Sequence, residues 1–330
     1  MAGVESKDRQ LWKPDVLVLG PGGIKGFSEL GALFRLNDYS IISDNIHTYS
    51  GVSVGAIISL LLSIKCDINE IIMEGKMDNF SVELCSINIE QIIKCSHGVL
   101  SMDPIRKRVE KLVRATLNLT EHDPIPTLLD LYRRTGKTYE AVAVNMTSGK
   151  PEYLSWSTHP SLGCVEAAMM SSALPLIFHK IVYMGTQYVD GGLGDPYPVT
   201  RYDNGRNNVL GIYIEGKSEE PPAPVSLGSY ITRFLHVPLV QLRRINIEKS
   251  SLKVRHLRLS TSVVSMLGIG MTILQKATMI CDGYVAAEAF VQTLYLKDKE
   301  KERNEFLASV FTPQVGELLP DGLLKDIGSL

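Results

Sequence analysis

Residues 46–64 read IHTYSGVSVGAIISLLLSI, and their reading decides the fold. A short stretch with strand-forming residues (46–50) runs into Gly51-Val52-Ser53-Val54-Gly55, and the largely apolar run AIISLLLSI (56–64) follows. The composition and lengths predict a strand, a tight turn and a buried helix. The same order occurs just upstream. DVLVLG (15–20) is a valine-rich run ending in glycine, PGGIKG (21–26) is a glycine-rich loop, and FSELGALFRL (27–36) repeats its apolar residues at helical spacing. Strand, turn and helix thus recur within the first 65 residues, which predicts an α/β fold with a mainly parallel sheet.

Further strands are expected at 138–146, 151–156, 208–215 and 253–260, and another ends at Gln187–Gly192. Helices are expected across much of 67–120, at 127–135 before Gly136, at 164–173 before Pro175, at 227–249 with an interruption at Pro238, and over 263–295. GKSEEPPAP (216–224) reads as a surface loop, and KDKEKERNEF (297–306) as a solvated charged helix face. These readings divide the chain into a tail (1–14), a core (15–215) and a mostly helical remainder (216–330) packed on that core as one structural domain.

With 330 residues, 45% of them hydrophobic and 21% charged, the chain has an ordinary globular composition. Its formal net charge of -2 supplies no basic field, which argues against a nucleic-acid partner. Cys66, Cys85, Cys95, Cys164 and Cys281 lack CxxC or Cys/His metal spacing, so free thiols and no metal are expected. The polar start MAGVESKDRQ lacks the apolar core of a signal peptide, and AIISLLLSI is too short to cross a bilayer. The expectation is an intracellular, cytoplasmic protein, with peripheral contact to a membrane left open.

Three stretches carry possible chemistry. Ser53, with Gly51 and Gly55 two residues away on either side, fits a nucleophile elbow, in which a serine is exposed between a strand end and a helix start. A tight turn with a capping serine fits the pentapeptide equally well. The loop Gly20-Pro21-Gly22-Gly23-Ile24-Lys25-Gly26 aims backbone N–H groups at a helix start. It matches neither GxxxxGK[ST] nor GxGxxG, which leaves an oxyanion hole, a phosphate cradle or a plain connecting loop. Asp190-Gly191-Gly192 follows a strand. A serine needs a base, and none of His47, His97, His122, His159, His179, His236 and His256 lies in such a glycine turn. Asp190 is the better placed, although Asp-Gly is also a common turn.

In this order the three stretches resemble the patatin-like phospholipase family, which combines a glycine-rich oxyanion loop, a GxSxG serine and a DG[GA] aspartate. The resemblance extends to RTGKTYEAVAVNMTSGKPEYLS (134–155), AAMMSSALPLIF (167–178) and YVDGGLGDPYPV (188–199), covering about residues 15 to 200. It implies a three-layer α/β fold, helices flanking the sheet, and a Ser-Asp dyad without histidine. Ser53 would be the nucleophile and Asp190 its base. Gly22 and Gly23, with Val54, would supply oxyanion N–H groups, and Gly26, Gly51, Gly55, Gly191 and Gly192 would shape the turns. The implied substrate is a phospholipid or another acyl-ester lipid, cleaved through an acyl-enzyme without a cofactor. The apolar segments 56–64 and 263–275 fit the lining of an acyl channel, and at such spacing fit ordinary core more often. Two positions depart from the family. Pro21 replaces the usual first glycine and has no N–H to donate, and Asp195 stands where asparagine is common.

Two other readings remain at this point. A malonyl-transacylase-type acyltransferase also uses a GxSxG serine but needs a histidine base, here His159 or His179, and a carboxylate-binding arginine. A catalytically silent interaction protein would keep the fold alone.

Overall fold

Val16–Leu19 form β1, and all four residues are completely buried, as expected of a central strand covered on both faces. The computed structural model describes residues 12–76, 98, 100–216, 227–261 and 271–311. The expected loop at 216–224, the apolar segment before Met271, Cys85, Cys95 and His97 fall wholly or mostly outside the described residues.

After β1 come a 3-10 turn (Gly23–Lys25), α1 (Gly26–Asp38), β2 (Thr48–Val52), α2 (Val54–Ser63) and α3 (Ile68–Lys76). Next are α4 (Asp103–Thr116), α5 (Leu128–Thr135), β3 (Thr138–Asn145), β4 (Lys150–Leu154) and α6 (Cys164–Ser172). The hairpin β5 (Ile181–Tyr183) and β6 (Thr186–Asp190) leads into a second 3-10 turn (Gly191–Leu193). The remaining elements are α7 (Val199–Tyr202), β7 (Val209–Gly216), α8 (Leu227–Lys249), β8 (Val254–Thr261) and α9 (Ile273–Phe311).

The strands form one sheet in the order β5-β6-β3-β2-β1-β7-β8, with β4 also paired to β3. The pairs β1–β2, β1–β7, β2–β3 and β7–β8 are parallel. β3–β4, β3–β6 and β5–β6 are antiparallel. The mainly parallel sheet flanked by helices is therefore present, with antiparallel strands gathered at one end.

Two compact units are distinguished, Lys13–Glu288 and a smaller one of Met1–Trp12 with Ala289–Leu330. The whole sheet belongs to the larger unit. The described part of the smaller one is Trp12 and the stretch of α9 beyond Glu288.

Local chemistry accounts for the element ends. α5 starts in a capping box, where Thr127 Oγ1 accepts from the Asp130 N–H at 3.1 Å and the Thr127 N–H donates to Asp130 Oδ2. It stops at Gly136, whose φ of 66° is the left-handed conformation that glycine adopts without strain. The serines inside apolar α2 donate inward, Ser59 to the Ser50 carbonyl and Ser63 to the Leu60 carbonyl. α8 departs from expectation, because it runs through Pro238 without a break. Proline already holds a helical φ, and both Phe234 and Pro238 are exposed, so water can take the hydrogen bond that the missing N–H leaves open.

Candidate active site

The ends of β1 and β2 lie on one side of β3 and the end of β6 on the other. Leu19 is paired with Gly51, so the glycine loop after β1 and the serine turn after β2 leave the sheet side by side. Val52 is paired with Val142, and the next residue of β3, Ala143, is paired with Asp190. Ser53 and Asp190 therefore come level across β3.

Ser53 lies between β2 and α2 at φ 57° and ψ -127°, a conformation rare for any residue but glycine. The two motif glycines allow the sharp turn. A Cβ on Gly51 would strike the backbone of Gly55, and one on Gly55 would lie 2.5 Å from the Leu19 carbonyl oxygen. α2 can thus begin directly against the end of β1 only if both positions lack side chains. Ser53 is half-buried, and its N–H donates to Ser171 Oγ on α6 at 3.0 Å.

Asp190 is 3% exposed. Its carboxylate accepts from the Gly192 N–H at 2.8 Å through Oδ1. Burial pushes its pKa up to about 6, against the opposing pull of the Ser53 side chain and the Gly192 N–H. Its own N–H donates to the Ala173 carbonyl at 2.9 Å. Gly191 packs against the β3 backbone at Val142, and Gly192 lies between Asp190 and Leu239 of α8.

The glycine loop reaches both groups. A Cβ on Gly192 would sit 3.6 Å from Pro21 Cγ, and one on Gly26 would sit 2.7 Å from Val54 Cγ2. Gly22 is buried and Gly23 half-buried, the latter at φ 56°. Among the described residues, neither Gly22 N–H nor Gly23 N–H has an internal acceptor, while Gly20, Lys25 and Gly26 donate within the chain. Val54 opens α2, where the first helical N–H groups are unpaired and the helix dipole is positive. The N–H groups of Gly22 and Gly23 are thus left without an internal acceptor among the described residues, and Val54 directly follows Ser53.

Lys25 is buried behind this loop, where burial and the nearby Arg243 hold its amine below the usual lysine range. Arg243 itself donates to the Ile214 carbonyl at 2.7 Å. Burial, with Lys25 and Arg243 close by, holds His236 down to about 4, so this imidazole is neutral at pH 7. Among the described residues no histidine is a partner of Ser53 or Asp190. His159 faces Thr158 and Glu152, at 3.1 and 3.6 Å, and His179 is exposed.

Asp195 has a definite task. Its Oδ2 accepts from the Tyr153 hydroxyl at 2.7 Å and its Oδ1 from Asn246 Nδ2 at 2.7 Å. It fastens the segment after the catalytic turn to β4 and α8. Among the described residues no group of three or more His, Cys, Asp or Glu could hold a metal, and no helix is long and apolar enough to cross a membrane. Ser171 and Ala173 are the site residues that sequence reasoning missed. The only signal was a serine pair in an otherwise apolar helix ahead of a proline.

A family model described as patatin-like phospholipase matches residues 17–201. The probable lipid hydrolase 463L of Invertebrate iridescent virus 6 is 31% identical over 206 residues, covering 60% of this chain and 67% of that protein. The uncharacterized protein R571 of Acanthamoeba polyphaga mimivirus is 27% identical over 213 residues, covering 62% and 66% respectively. The chain spans about two thirds of the length of these viral relatives. VipD from Legionella pneumophila shares the fold at a TM-score of 0.51 and 18% identity, over 86% of this chain and 67% of that one.

Proposed function

Because this chain belongs to the patatin-like phospholipase family, we propose that it is a lipid acyl hydrolase cleaving carboxylic esters through a Ser53–Asp190 dyad. The observation that carries the reading is the register that brings Ser53 level with the enclosed Asp190 carboxylate across β3. The similarity to a probable lipid hydrolase of a virus supports the substrate class.

Ser53 Oγ attacks the acyl carbonyl carbon while Asp190 takes its proton. The carbonyl electrons move to oxygen, and the N–H groups of Gly22, Gly23 and Val54 stabilise the oxyanion. Loss of one such donor typically costs about 100- to 1,000-fold in kcat. The tetrahedral intermediate collapses, the alcohol leaves with the proton that Asp190 holds, and the acyl group stays on Ser53. Water then attacks the acyl-enzyme, again giving its proton to Asp190, and the fatty acid departs as Ser53 is reprotonated. An ordinary aspartate near 3.9 is a weak base for a hydroxyl, so a carboxylate at about 6 in a water-poor site suits the task better. Phospholipids and lysophospholipids are the proposed substrates, taken from the surface of a membrane. Residues 15–215 are the proposed catalytic core.

The test is direct. Wild-type protein should react with a fluorophosphonate probe and release fatty acid from phospholipid vesicles. Ser53→Ala and Asp190→Asn should do neither above background, while His159→Ala and His179→Ala keep both activities. Loss of activity in a histidine variant with retention in Asp190→Asn would favour an acyltransferase-like mechanism. An unlabelled wild-type protein would favour a silent interaction role.

A further inference from the structure

Both members of the proposed dyad are tied by their backbones to the same turn of α6. The Ser53 N–H donates to Ser171 Oγ at 3.0 Å, and the Asp190 N–H donates to the Ala173 carbonyl at 2.9 Å. We propose that Ser171 is a positioning residue for the nucleophile, and that the C-terminal turn of α6 sets the register between Ser53 and Asp190.

The need for such a device is visible at Ser53. Its φ of 57° and ψ of -127° place a non-glycine residue in a strained region, and such conformations persist only where the surroundings over-determine them. The Ser53 N–H has no strand partner to hold it in this conformation. A buried N–H without an acceptor is unfavourable, so Ser171 Oγ both satisfies the donor and fixes the peptide plane. Fixing that plane fixes the direction of the Ser53 side chain towards Asp190.

The other half of the arrangement uses a general property of helix ends. The last carbonyls of a helix have no partner within it. Here Ala173, which caps α6, offers its carbonyl to Asp190, and Pro175 two residues on prevents the helix from continuing. α6 is itself held rigidly. Its residues Ala167–Ser172 are buried, and Glu166 in its first turn pairs with Arg106 of α4. The end of one rigid helix thus meets an unpaired N–H on each side of the reaction. Ser171 touches no reacting atom, so its effect passes through the geometry of Ser53.

This proposal rests on the reading of Ser53 as nucleophile, and the experiment separates the two. The rate constant for fluorophosphonate labelling is measured for wild type, Ser171→Ala, Ser171→Thr, Ser171→Val and Ser172→Ala, together with thermal stability. Ser171→Ala should label about tenfold or more slowly, the scale expected when one buried donor loses its acceptor. Ser171→Thr keeps the acceptor and should label faster than Ser171→Val, which has the same shape without it. Ser172→Ala loses a comparable buried hydrogen bond in the same helix, and should lose stability while labelling at the wild-type rate. In vesicle hydrolysis, Ser171→Ala should lower kcat with KM nearly unchanged, and the acid limb near pH 6 should stay where it is. Equal rates for the Thr and Val variants, or slowing by Ser172→Ala as large as that by Ser171→Ala, would overturn the positioning role. If Ser171→Ala does not fold, the Thr and Val pair decides. A wild-type protein that does not label above Ser53→Ala overturns the nucleophile reading itself, and this proposal with it.

Discussion

Asp190 must be enclosed to be a useful base, and enclosure disfavours its charge. Its pKa of about 6 in the folded chain lies above the value of about 3.9 expected in an unfolded one. The folded state therefore binds the proton more tightly. Asp190 weakens the fold by nothing below about pH 4, and by its full amount above about pH 6, on the order of 3 kcal/mol. Two outcomes are expected. First, kcat/KM should rise with pH through an apparent pKa near 6 and level off above it, read from initial rates on a soluble ester between pH 4.5 and 8.5. Second, Asp190→Asn should abolish turnover yet melt at a higher temperature than wild type at pH 8, with the advantage gone near pH 4. Thermal unfolding at the two pH values checks this. An Asn that destabilised the chain at pH 8 would mean that the pull of Ser53 and the Gly192 N–H on the carboxylate outweighs the burial cost.

The element that matters most is the junction of β2 with α2. There the motif glycines act through packing, since Gly55 meets the Leu19 and Gly20 carbonyls and Gly51 meets the backbone of Gly55. Gly55→Ala should lower the unfolding free energy measured in urea sharply, by about 3 kcal/mol or more, because backbone has to move, and should eliminate probe labelling. Thr127→Ala on α5 offers a contrast. It removes a capping box, should cost about 1 kcal/mol in urea unfolding, and should leave labelling unchanged. The sequence made the first legible through the GxSxG spacing, and of α5 it marked the helix and its end at Gly136, while the Thr127–Asp130 box came from the structure. It hid the three-residue strand β5, which is too short to show a period and is held by its register with β6. It also suggested a break at Pro238 that exposure on α8 makes unnecessary.

Across the whole molecule, the site is an agreement between distant parts of the chain. Asp195 links β4 through Tyr153 to α8 through Asn246, and Leu239 of α8 closes over Gly192. Asp195→Ala should strand both donors and destabilise the protein by about 2 to 4 kcal/mol in chemical unfolding, with a smaller loss of labelling rate than Asp190→Asn gives. The amino-acid sequence by itself determined the α/β class and the order of the first strands and helices, which follow from periodicity and turn chemistry acting over a few residues. Ser53, Asp190 and the glycine loop it offered as candidates, joined by the resemblance to a family. Only the tertiary structure decided that Val142 and Ala143 bring Ser53 level with Asp190, that no described histidine accompanies them, and that Ser171 and Ala173 tie down their backbones. Those are relations of register and burial between segments 17 to 118 residues apart in the chain. No local pattern encodes them, because the sheet and the end of α6 set them jointly.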